Sequence, residues 1–180
     1  MSNTSDDPPG FSRLSISLTS ISDLSGLEHC TALDSLDISY SNIADLSPLA
    51  GLTSLTGLNL GYNYIADVSP LAALTNLTTL ELVGNSIVDV TPLAGLTNLY
   101  KLELDLNQIV DVSPLAGFTN LTTLSLMTNQ IVDVCPLVGT PGLDSLDIVY
   151  LKYNPLSSTS CTVCITQLEG RGVDVSHSCP

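Results

Sequence analysis

A 22-residue unit recurs along this chain, and its regularity limits the possible folds more than any other feature. Residues 74–95 read LTNLTTLELVGNSIVDVTPLAG, and residues 96–117 repeat them as LTNLYKLELDLNQIVDVSPLAG. The same spacing separates six aspartates and five prolines: Asp23, Asp45, Asp67, Asp89, Asp111 and Asp133, and Pro48, Pro70, Pro92, Pro114 and Pro136. A fixed period of this length predicts a solenoid, in which each unit buries its apolar face only against its neighbours.

Each unit contains the pattern L-x-x-L-x-L-x-x-N-x-I, as in Leu77, Leu80, Leu82, Asn85 and Ile87. The alternation around Leu82 indicates a short strand with apolar side chains inward and polar side chains outward. The asparagine follows where the chain must turn, and a buried amide needs partners for both its oxygen and its nitrogen. We therefore expect each asparagine to bond to backbone groups of its own turn and of the adjacent coil.

The return leg of the unit, Asp-Val-Ser-Pro-Leu-Ala-Gly, indicates one short 3₁₀ or helical turn per coil. Ser or Thr would cap the turn, Pro would take the first helical position, and Gly would end it. The repeated Asp is expected to accept hydrogen bonds from backbone N–H groups of the turn.

Seven coils fit into a solenoid over residues 8–156. They begin near Pro8, Cys30, Leu52, Leu74, Leu96, Phe118 and Thr140. Their strands are expected around Leu14, Leu36, Leu58, Leu80, Leu102, Leu124 and Val149. At a spacing of roughly 4.8 Å these strands would form one parallel sheet about 30 Å across.

The coils near the two ends depart from the pattern. Residues 1–10 read as a disordered lead-in. Thr19 and Ser41 replace the turn asparagine in the first two coils. In the seventh coil the best register places Leu146 inward, which requires a three-residue insertion at about residues 141–144.

Residues 157–180 are predicted to close the array as a helix-strand cap. A helix can start within residues 157–160, and residues 173–175 can return as a strand. The helix would have one apolar face, spaced i, i+3, i+4 and i+7: Cys161, Cys164, Ile165 and Leu168.

Composition excludes several classes of partner. The net charge is -14, with only four basic residues against eighteen acidic ones. Nucleic acid and anionic membrane surfaces would be repelled, and no apolar run reaches the 18 residues that a spanning helix needs. Residues 1–12 lack the features of a signal peptide, so a cytoplasmic protein is expected, or a secreted or surface protein if Met1 is not the natural start.

The five cysteines leave three alternatives open. Their odd number does not suit a fully disulfide-stapled secreted domain. One group could supply three thiolates and an imidazole to zinc: Cys161, Cys164, His177 and Cys179. A disulfide involving Cys179 is the second alternative. Packing as small hydrophobic side chains is favoured, Cys30 and Cys135 are expected to be inert, and no metal or cofactor is predicted.

The repeat resembles the 22-residue leucine-rich repeat shared by bacterial internalins and the regulatory subunit of type-1 protein phosphatase. The wording L-T-N-L-T-T-L and D-V-S-P-L-A-G is closer to the internalin version. The resemblance covers about residues 8–156. It implies an α/β fold, a right-handed leucine-rich-repeat solenoid with a parallel sheet on the concave side and short turns on the convex side, and it implies binding of protein partners through the sheet.

The outward positions of the strands, which we call the concave face, are the predicted binding surface. Variation between coils is concentrated there, and so are four of the six tyrosines. Tyrosine is enriched at interfaces, and the acidic residues between the tyrosines would favour a basic or polar partner surface. The residues expected to contact the partner are Tyr40, Tyr62, Tyr150, Tyr153, Asp37, Glu81, Glu103, Asp105, Lys101 and Met127.

The function predicted from the sequence is protein–protein recognition by a monomeric, acidic module. Neither His29 nor His177 has a nucleophile or carboxylate partner that the sequence supports, so no catalytic site is predicted. Two alternatives stay open: an intracellular regulatory or scaffold subunit of an enzyme such as type-1 phosphatase, and a structural fragment of a longer repeat array.

Overall fold

One parallel sheet of eight strands runs through the molecule, in the order in which the strands occur in the chain. The computed structural model describes residues 12–17 and 20–179. The strands are β1 Arg13–Ser15, β2 Ser35–Asp37, β3 Gly57–Asn59, β4 Thr79–Glu81, β5 Lys101–Glu103, β6 Thr123–Ser125, β7 Ile148–Tyr150 and β8 Asp174–Ser176. Each of the first seven lies where the repeat predicts a strand, and β8 belongs to the C-terminal segment.

The register of the sheet repeats the register of the sequence. Leu14 pairs with Leu36, and Leu80 pairs with Leu102, so equivalent leucines lie side by side. These inward leucines join one continuous core with the apolar residues of the return legs. The predicted solenoid, in which neighbouring coils share one core, is confirmed.

The convex side consists of short 3₁₀ turns, as predicted. They are Leu27–His29, Ser47–Leu49, Ser69–Ala73, Thr91–Gly95, Ser113–Gly117 and Cys135–Gly139. Ser or Thr does not cap them by its side chain, contrary to the prediction. The cap position is a Leu or Val in five of the six, and the repeated Asp accepts the N–H two residues later, as Asp67 does from Ser69 at 2.8 Å.

The turn asparagines hold neighbouring coils together as predicted. Asn107 Nδ2 donates to Leu82 O of the preceding coil and to Leu104 O of its own, both at 3.0 Å. Its Oδ1 accepts the N–H of Ile87 at 3.0 Å. The same three contacts recur at Asn63, Asn85, Asn129 and Asn154.

The seventh coil differs from its predicted register. Leu143 keeps the 22-residue spacing from Leu121 and is fully buried, whereas Leu146 is 93% exposed with a φ of 82°. The insertion therefore follows Leu143, within the four residues before β7. The 22-residue spacing alone allowed the insertion to lie before or after Leu143. In the structure only Leu143, and not Leu146, reaches the core.

The cap has the predicted helix-strand form, but its cysteines were misassigned. A π-helical turn, Ser160–Cys164, continues into the helix α1, Ile165–Gly170, and β8 then joins the sheet beside β7. Two disulfides link this segment, Cys135–Cys164 and Cys161–Cys179. The interpretation as packed free thiols and an inert Cys135 was wrong, and the alternative of a disulfide at Cys179 was right.

The cap is also tied to the solenoid by hydrogen bonds. The guanidinium of Arg171 donates to the carbonyl oxygens of Val138 and Thr140. Ser160 Oγ donates to Val132 O at 3.0 Å. The predicted lead-in at residues 1–10 and the Thr19 substitution lie outside the described residues.

Candidate functional site

Strands β2 to β7 each lead to an outward residue with a left-handed backbone, immediately before the turn asparagine or serine. The φ angles lie between 54° and 67° at Tyr40, Tyr62, Gly84, Leu106, Thr128 and Tyr153. This conformation reverses the chain direction at the end of the concave face, and residues other than glycine rarely adopt it. Three of the four predicted tyrosine anchors occupy this position.

Tyr40 and Tyr62 form a stacked pair on neighbouring coils. Their ring centroids are 4.4 Å apart and the ring planes differ by 12°. Tyr40 is 51% exposed and Tyr62 is 41% exposed, so the pair presents a large aromatic surface to solvent. Burial, then Tyr40 and Asp105, raises the pKa of Tyr62.

Gly84 holds the equivalent position in the next coil. A Cβ at Gly84 would lie 2.7 Å from Cδ1 and 3.0 Å from Cε1 of Tyr62. The ring of Tyr62 therefore leans over a backbone that carries no side chain. The aromatic row ends at Tyr62 because the chain has glycine at this point.

Lys101 joins two of the predicted acidic residues. Its Nζ lies 2.7 Å from Glu81 Oε1 and 3.0 Å from Glu103 Oε1. The hydrogen bond to Glu81 is the main cause that raises the pKa of Lys101, with Glu103 adding to it and burial opposing it. One charge of this acidic pair is thus neutralised within the protein.

Asp105 is a half-buried carboxylate of the concave face. Its Oδ1 accepts Ser125 Oγ and the N–H of Met127, each at 2.6 Å. Burial raises the pKa of Asp105 despite these two hydrogen bonds, and Glu103 raises it further. Both described hydrogen bonds use Oδ1, so Oδ2 remains available to a ligand.

These side chains enclose a pocket of about 320 Å³ on the concave face. Five of the ten predicted contact residues line it: Tyr40, Tyr62, Glu81, Glu103 and Asp105. Ser39, Asn59, Gly61 and Val83 complete the lining. The sequence analysis did not select these four as contact residues; glycine at position 61 was the signal that a depression lies here.

The other predicted residues lie outside the pocket lining. Asp37 accepts hydrogen bonds from Ser17 Oγ and the N–H of Ser39, at 3.2 and 3.0 Å. Lys101 and Met127 adjoin the pocket through the contacts given above. Tyr150 and Tyr153 lie on and just after β7, four strand spacings or roughly 19 Å from β3.

Tyr153 is 72% exposed, and Tyr150 is half-buried. The four tyrosines thus form two groups, one at each end of the face, rather than one cluster. A partner that contacts all four must span most of the sheet.

The zinc alternative does not fit the cap. Asp133, Cys135 and Cys164 place ligand atoms within 4.8 Å of one another, but both thiols are consumed by their disulfide. Cys161 and Cys179 are likewise bonded to each other. Zinc binds thiolates, so the oxidised cap has no cysteine ligand to offer.

No helix within the described ranges is both long and apolar enough to cross a membrane.

Comparison with known proteins identifies the repeat and the architecture. The family model for Leucine Rich repeats (2 copies) matches residues 32–73, 53–95 and 75–117. An internalin (inlF) from Listeria monocytogenes is 32% identical, with a TM-score of 0.80 over 89% of this chain and 47% of its own. Internalin C2 of the same organism is 33% identical, with a TM-score of 0.71 over 93% of this chain and 80% of its own.

A more distant protein shares the fold alone. A leucine-rich-repeat protein from Leptospira interrogans is 23% identical, with a TM-score of 0.73 over 82% of this chain and 38% of its own. No curated protein matches the chain. The chain spans about half the length of the first internalin and four fifths of the second.

Proposed function

Because this chain belongs to the leucine-rich-repeat proteins of internalin type, we propose that it is a non-enzymatic recognition module that binds a partner protein on its concave face. The observation that carries the proposal is the exposed Tyr40–Tyr62 pair beside a pocket lined by three carboxylates. Large aromatic surface and unbalanced charge at one place favour association with a complementary surface.

Rigidity of the face supports the same proposal. The strands are fixed by the leucine core and by the asparagine contacts, so the backbone that carries the exposed side chains is in place before a partner arrives. Ordering costs on binding are correspondingly small. The partner surface would be basic or polar, because Glu81, Glu103 and Asp105 outnumber the single Lys101.

The two disulfides bear on the compartment in which the module works. The sequence predicts a cytoplasmic protein, but disulfides persist in oxidising environments and are rare in the cytosol. We therefore propose an oxidising compartment. Intact mass after thiol alkylation of protein isolated without reductant tests this: modification at Cys30 alone supports the proposal, and modification at all five cysteines contradicts it.

A capture experiment tests the recognition function. The wild type is compared with a variant carrying Ala at the four predicted anchors: Tyr40, Tyr62, Tyr150 and Tyr153. Tyr64 and Tyr100 are exposed but lie outside the concave face, so a variant with Ala at these two is the matched control. Circular dichroism checks that all three are folded, and size-exclusion chromatography tests whether each is the expected monomer.

The proposal requires a partner that the wild type and the control bind and the four-tyrosine variant loses. Equal capture by all three proteins would place the interface elsewhere. Capture of a phosphatase catalytic subunit would favour the regulatory-subunit alternative. Empty capture from extracts of every compartment would favour the fragment of a longer array.

A further inference from the structure

Resting on the proposed recognition function, we propose that the pocket beside Tyr62 is a subsite for one arginine side chain of the partner protein. The guanidinium would lie against the exposed part of the Tyr62 ring that lines the pocket, and pair with the carboxylates of Glu103 and Asp105. The pocket would then take one occupant of defined shape and charge. A generally acidic surface, in contrast, would attract any basic group.

The first support is the aromatic row that stops one coil early. Tyr40 and Tyr62 stack at 4.4 Å, close to the strand spacing of roughly 4.8 Å. The next position in the row is Gly84, and a Cβ there would already meet the Tyr62 ring at 2.7 Å. No side chain of residue 84 continues the row, because the Tyr62 ring itself lies against the backbone there. The part of the Tyr62 ring that lines the pocket with Glu103 and Asp105 is left for a planar cation.

The second support is the charge at the far side of that position. Glu81, Glu103 and Asp105 line the pocket, and Lys101 balances only one of these three charges. Lys101 contacts Oε1 of both glutamates, and the hydrogen bonds of Asp105 fall on Oδ1. One oxygen of each carboxylate has no hydrogen bond within the described part of the chain.

The third support is the chemistry that distinguishes arginine from lysine. A guanidinium is planar, stacks on aromatic rings and binds carboxylates through two parallel N–H groups, whereas an ammonium is a compact, strongly hydrated charge. A pocket of about 320 Å³ also lies at the lower limit for small-molecule sites, about 300 Å³, so it suits one side chain rather than a larger ligand.

Binding would also relieve a cost in the free protein. Burial and the neighbouring Glu103 raise the pKa of Asp105, which means that its charged form lacks compensation there. A guanidinium in the pocket would supply it and lower that pKa. Lys101, Tyr62, Ser125 and Met127 are the other described groups that interact with Asp105 or with its neighbours.

The test is a nuclear magnetic resonance titration of the ¹⁵N-labelled protein with N-acetyl-arginine amide. N-acetyl-citrulline amide is the neutral probe of nearly equal shape, and N-acetyl-lysine amide is the charged probe without a planar head. We expect the backbone signals of Gly61, Gly84 and Asp105 to shift on addition of the arginine probe, with a dissociation constant in the millimolar range. The dissociation constant of the citrulline probe should be at least about tenfold higher.

Two variants with the same chemical change locate the site. Asp105→Asn keeps an oxygen for the Ser125 and Met127 hydrogen bonds and should weaken arginine binding about tenfold. Asp174→Asn removes an exposed charge from β8, at the opposite end of the sheet, and should leave binding unchanged. Both variants are expected to fold, because neither opens a cavity.

Each outcome decides the proposal. Equal responses to arginine and citrulline, shifts outside the pocket, or unchanged binding in D105N would overturn it, and so would the absence of any response to arginine. If N-acetyl-lysine amide bound as tightly as N-acetyl-arginine amide, the site would be a general acidic surface and the arginine subsite would be rejected. A partner captured through the concave face despite such a result would retain the recognition function and reject only the arginine subsite.

Discussion

The left-handed residues that follow strands β2 to β7 determine which side chains are displayed at the end of each of these strands. Five of the six described examples are not glycine: Tyr40, Tyr62, Leu106, Thr128 and Tyr153. A left-handed backbone costs a residue with a Cβ roughly 1–2 kcal/mol, and this chain accepts the cost where the side chain points outward. At Gly84 the left-handed backbone carries no such cost, and the missing side chain leaves room for the Tyr62 ring.

Gly84→Ala should destabilise the protein by about 1–2 kcal/mol. Residue 84 has a φ of 67°, and the new Cβ would meet Tyr62 at 2.7 Å. Gly95→Ala is the matched control, because a Cβ there meets nothing within 4 Å and should change stability by less than about 0.5 kcal/mol. Urea denaturation measures both, and equal effects would mean that the backbone of residue 84 is not constrained as described.

Asp105→Asn should change the pH dependence of stability in a defined direction. The folded protein retains the Asp105 proton to higher pH than the unfolded chain does, because burial raises its pKa above the ordinary value of 3.8. Ionisation of Asp105 therefore opposes folding above the folded-state pKa, and this penalty disappears below the ordinary pKa.

The measurement is the unfolding free energy of D105N minus that of the wild type, determined by urea denaturation at several pH values. The difference should become more positive as pH rises from below 3.8 to neutrality. A difference that falls over this range would show that the Ser125 and Met127 hydrogen bonds outweigh burial at this carboxylate.

At the scale of the element, the coil is held by polar contacts that the leucines cannot supply. A leucine core favours burial but specifies no turn, whereas each asparagine joins three backbone groups from two coils. Buried backbone groups that lose their partners cost about 1–3 kcal/mol each. The asparagines therefore fix the registration of successive coils.

Asn107→Ala should cost at least about 2 kcal/mol, since Ile87 N loses its acceptor and two further hydrogen bonds are lost. Leu82 O and Leu104 O each keep a hydrogen bond, from Asn85 and Asn129. Asn98→Ala is the control. Its amide makes one exposed hydrogen bond, to Thr75 O at 2.8 Å, and its loss should cost about 1 kcal/mol or less. Thermal and urea unfolding of the two variants would contradict this account if the costs were similar.

Leu102→Ala should destabilise by about 2–5 kcal/mol, as for other fully buried leucines. Leu106→Ala, four residues further along the same coil, removes the same atoms from a side chain that is half in solvent and should cost less than about 1 kcal/mol. The two unfolding free energies separate inward from outward positions directly. A mild effect at Leu102 would mean that the strand register is wrong.

The repeat predicted the positions of the strands better than it predicted the insertion in the seventh coil or the capping of the 3₁₀ turns. The strand positions followed from the 22-residue spacing, because equivalent leucines face the core in successive coils. Leu146 misled the analysis because a three-residue insertion leaves the spacing ambiguous, and only packing selects Leu143. The capping role of Ser69 was misjudged for a local reason: Asp67 accepts the N–H of Ser69 itself, so the aspartate and not the serine holds the start of the turn.

The site was less predictable than the fold. Alternation placed Tyr62 and Asp105 on the concave face, but spacing along the chain does not reveal that they share a pocket. The pocket is lined by residues of four successive coils, from Ser39 to Asp105, so it is a property of those coils together. The Cys135–Cys164 pair escaped prediction because these two residues meet only when the cap folds back on the sixth coil.

At the scale of the whole molecule, the cap closes one end of a structure whose coils contact only their neighbours. In such an array stability is approximately a sum of coil terms and interface terms, and an unprotected end unfolds first. Two disulfides and the Arg171 contacts bind the cap to the last coils. The cap therefore protects Val149 and Leu151, which would otherwise form an exposed end of the core.

Replacing all four bonded cysteines by serine should lower stability by about 3 kcal/mol for each disulfide. The loss should be local at first. Hydrogen exchange of the described cap, residues 157–179, should accelerate under conditions in which β3, β4 and β5 stay protected. Cys30→Ser is the control, since this exposed cysteine is outside both disulfides; uniform acceleration throughout the sheet would contradict a locally anchored cap.

The asparagine contacts have a further consequence for how such a protein can change over generations. Because Asn85 and Asn107 make the same bonds to the coil before them, a whole 22-residue unit can be copied or lost by unequal exchange between repeats in the coding DNA without leaving an unmatched backbone group. Each such event would move Tyr40 and Tyr153 apart or together by one strand spacing, roughly 4.8 Å. The distance between the two tyrosine groups is thus open to selection in discrete steps, separately from the residues that form them.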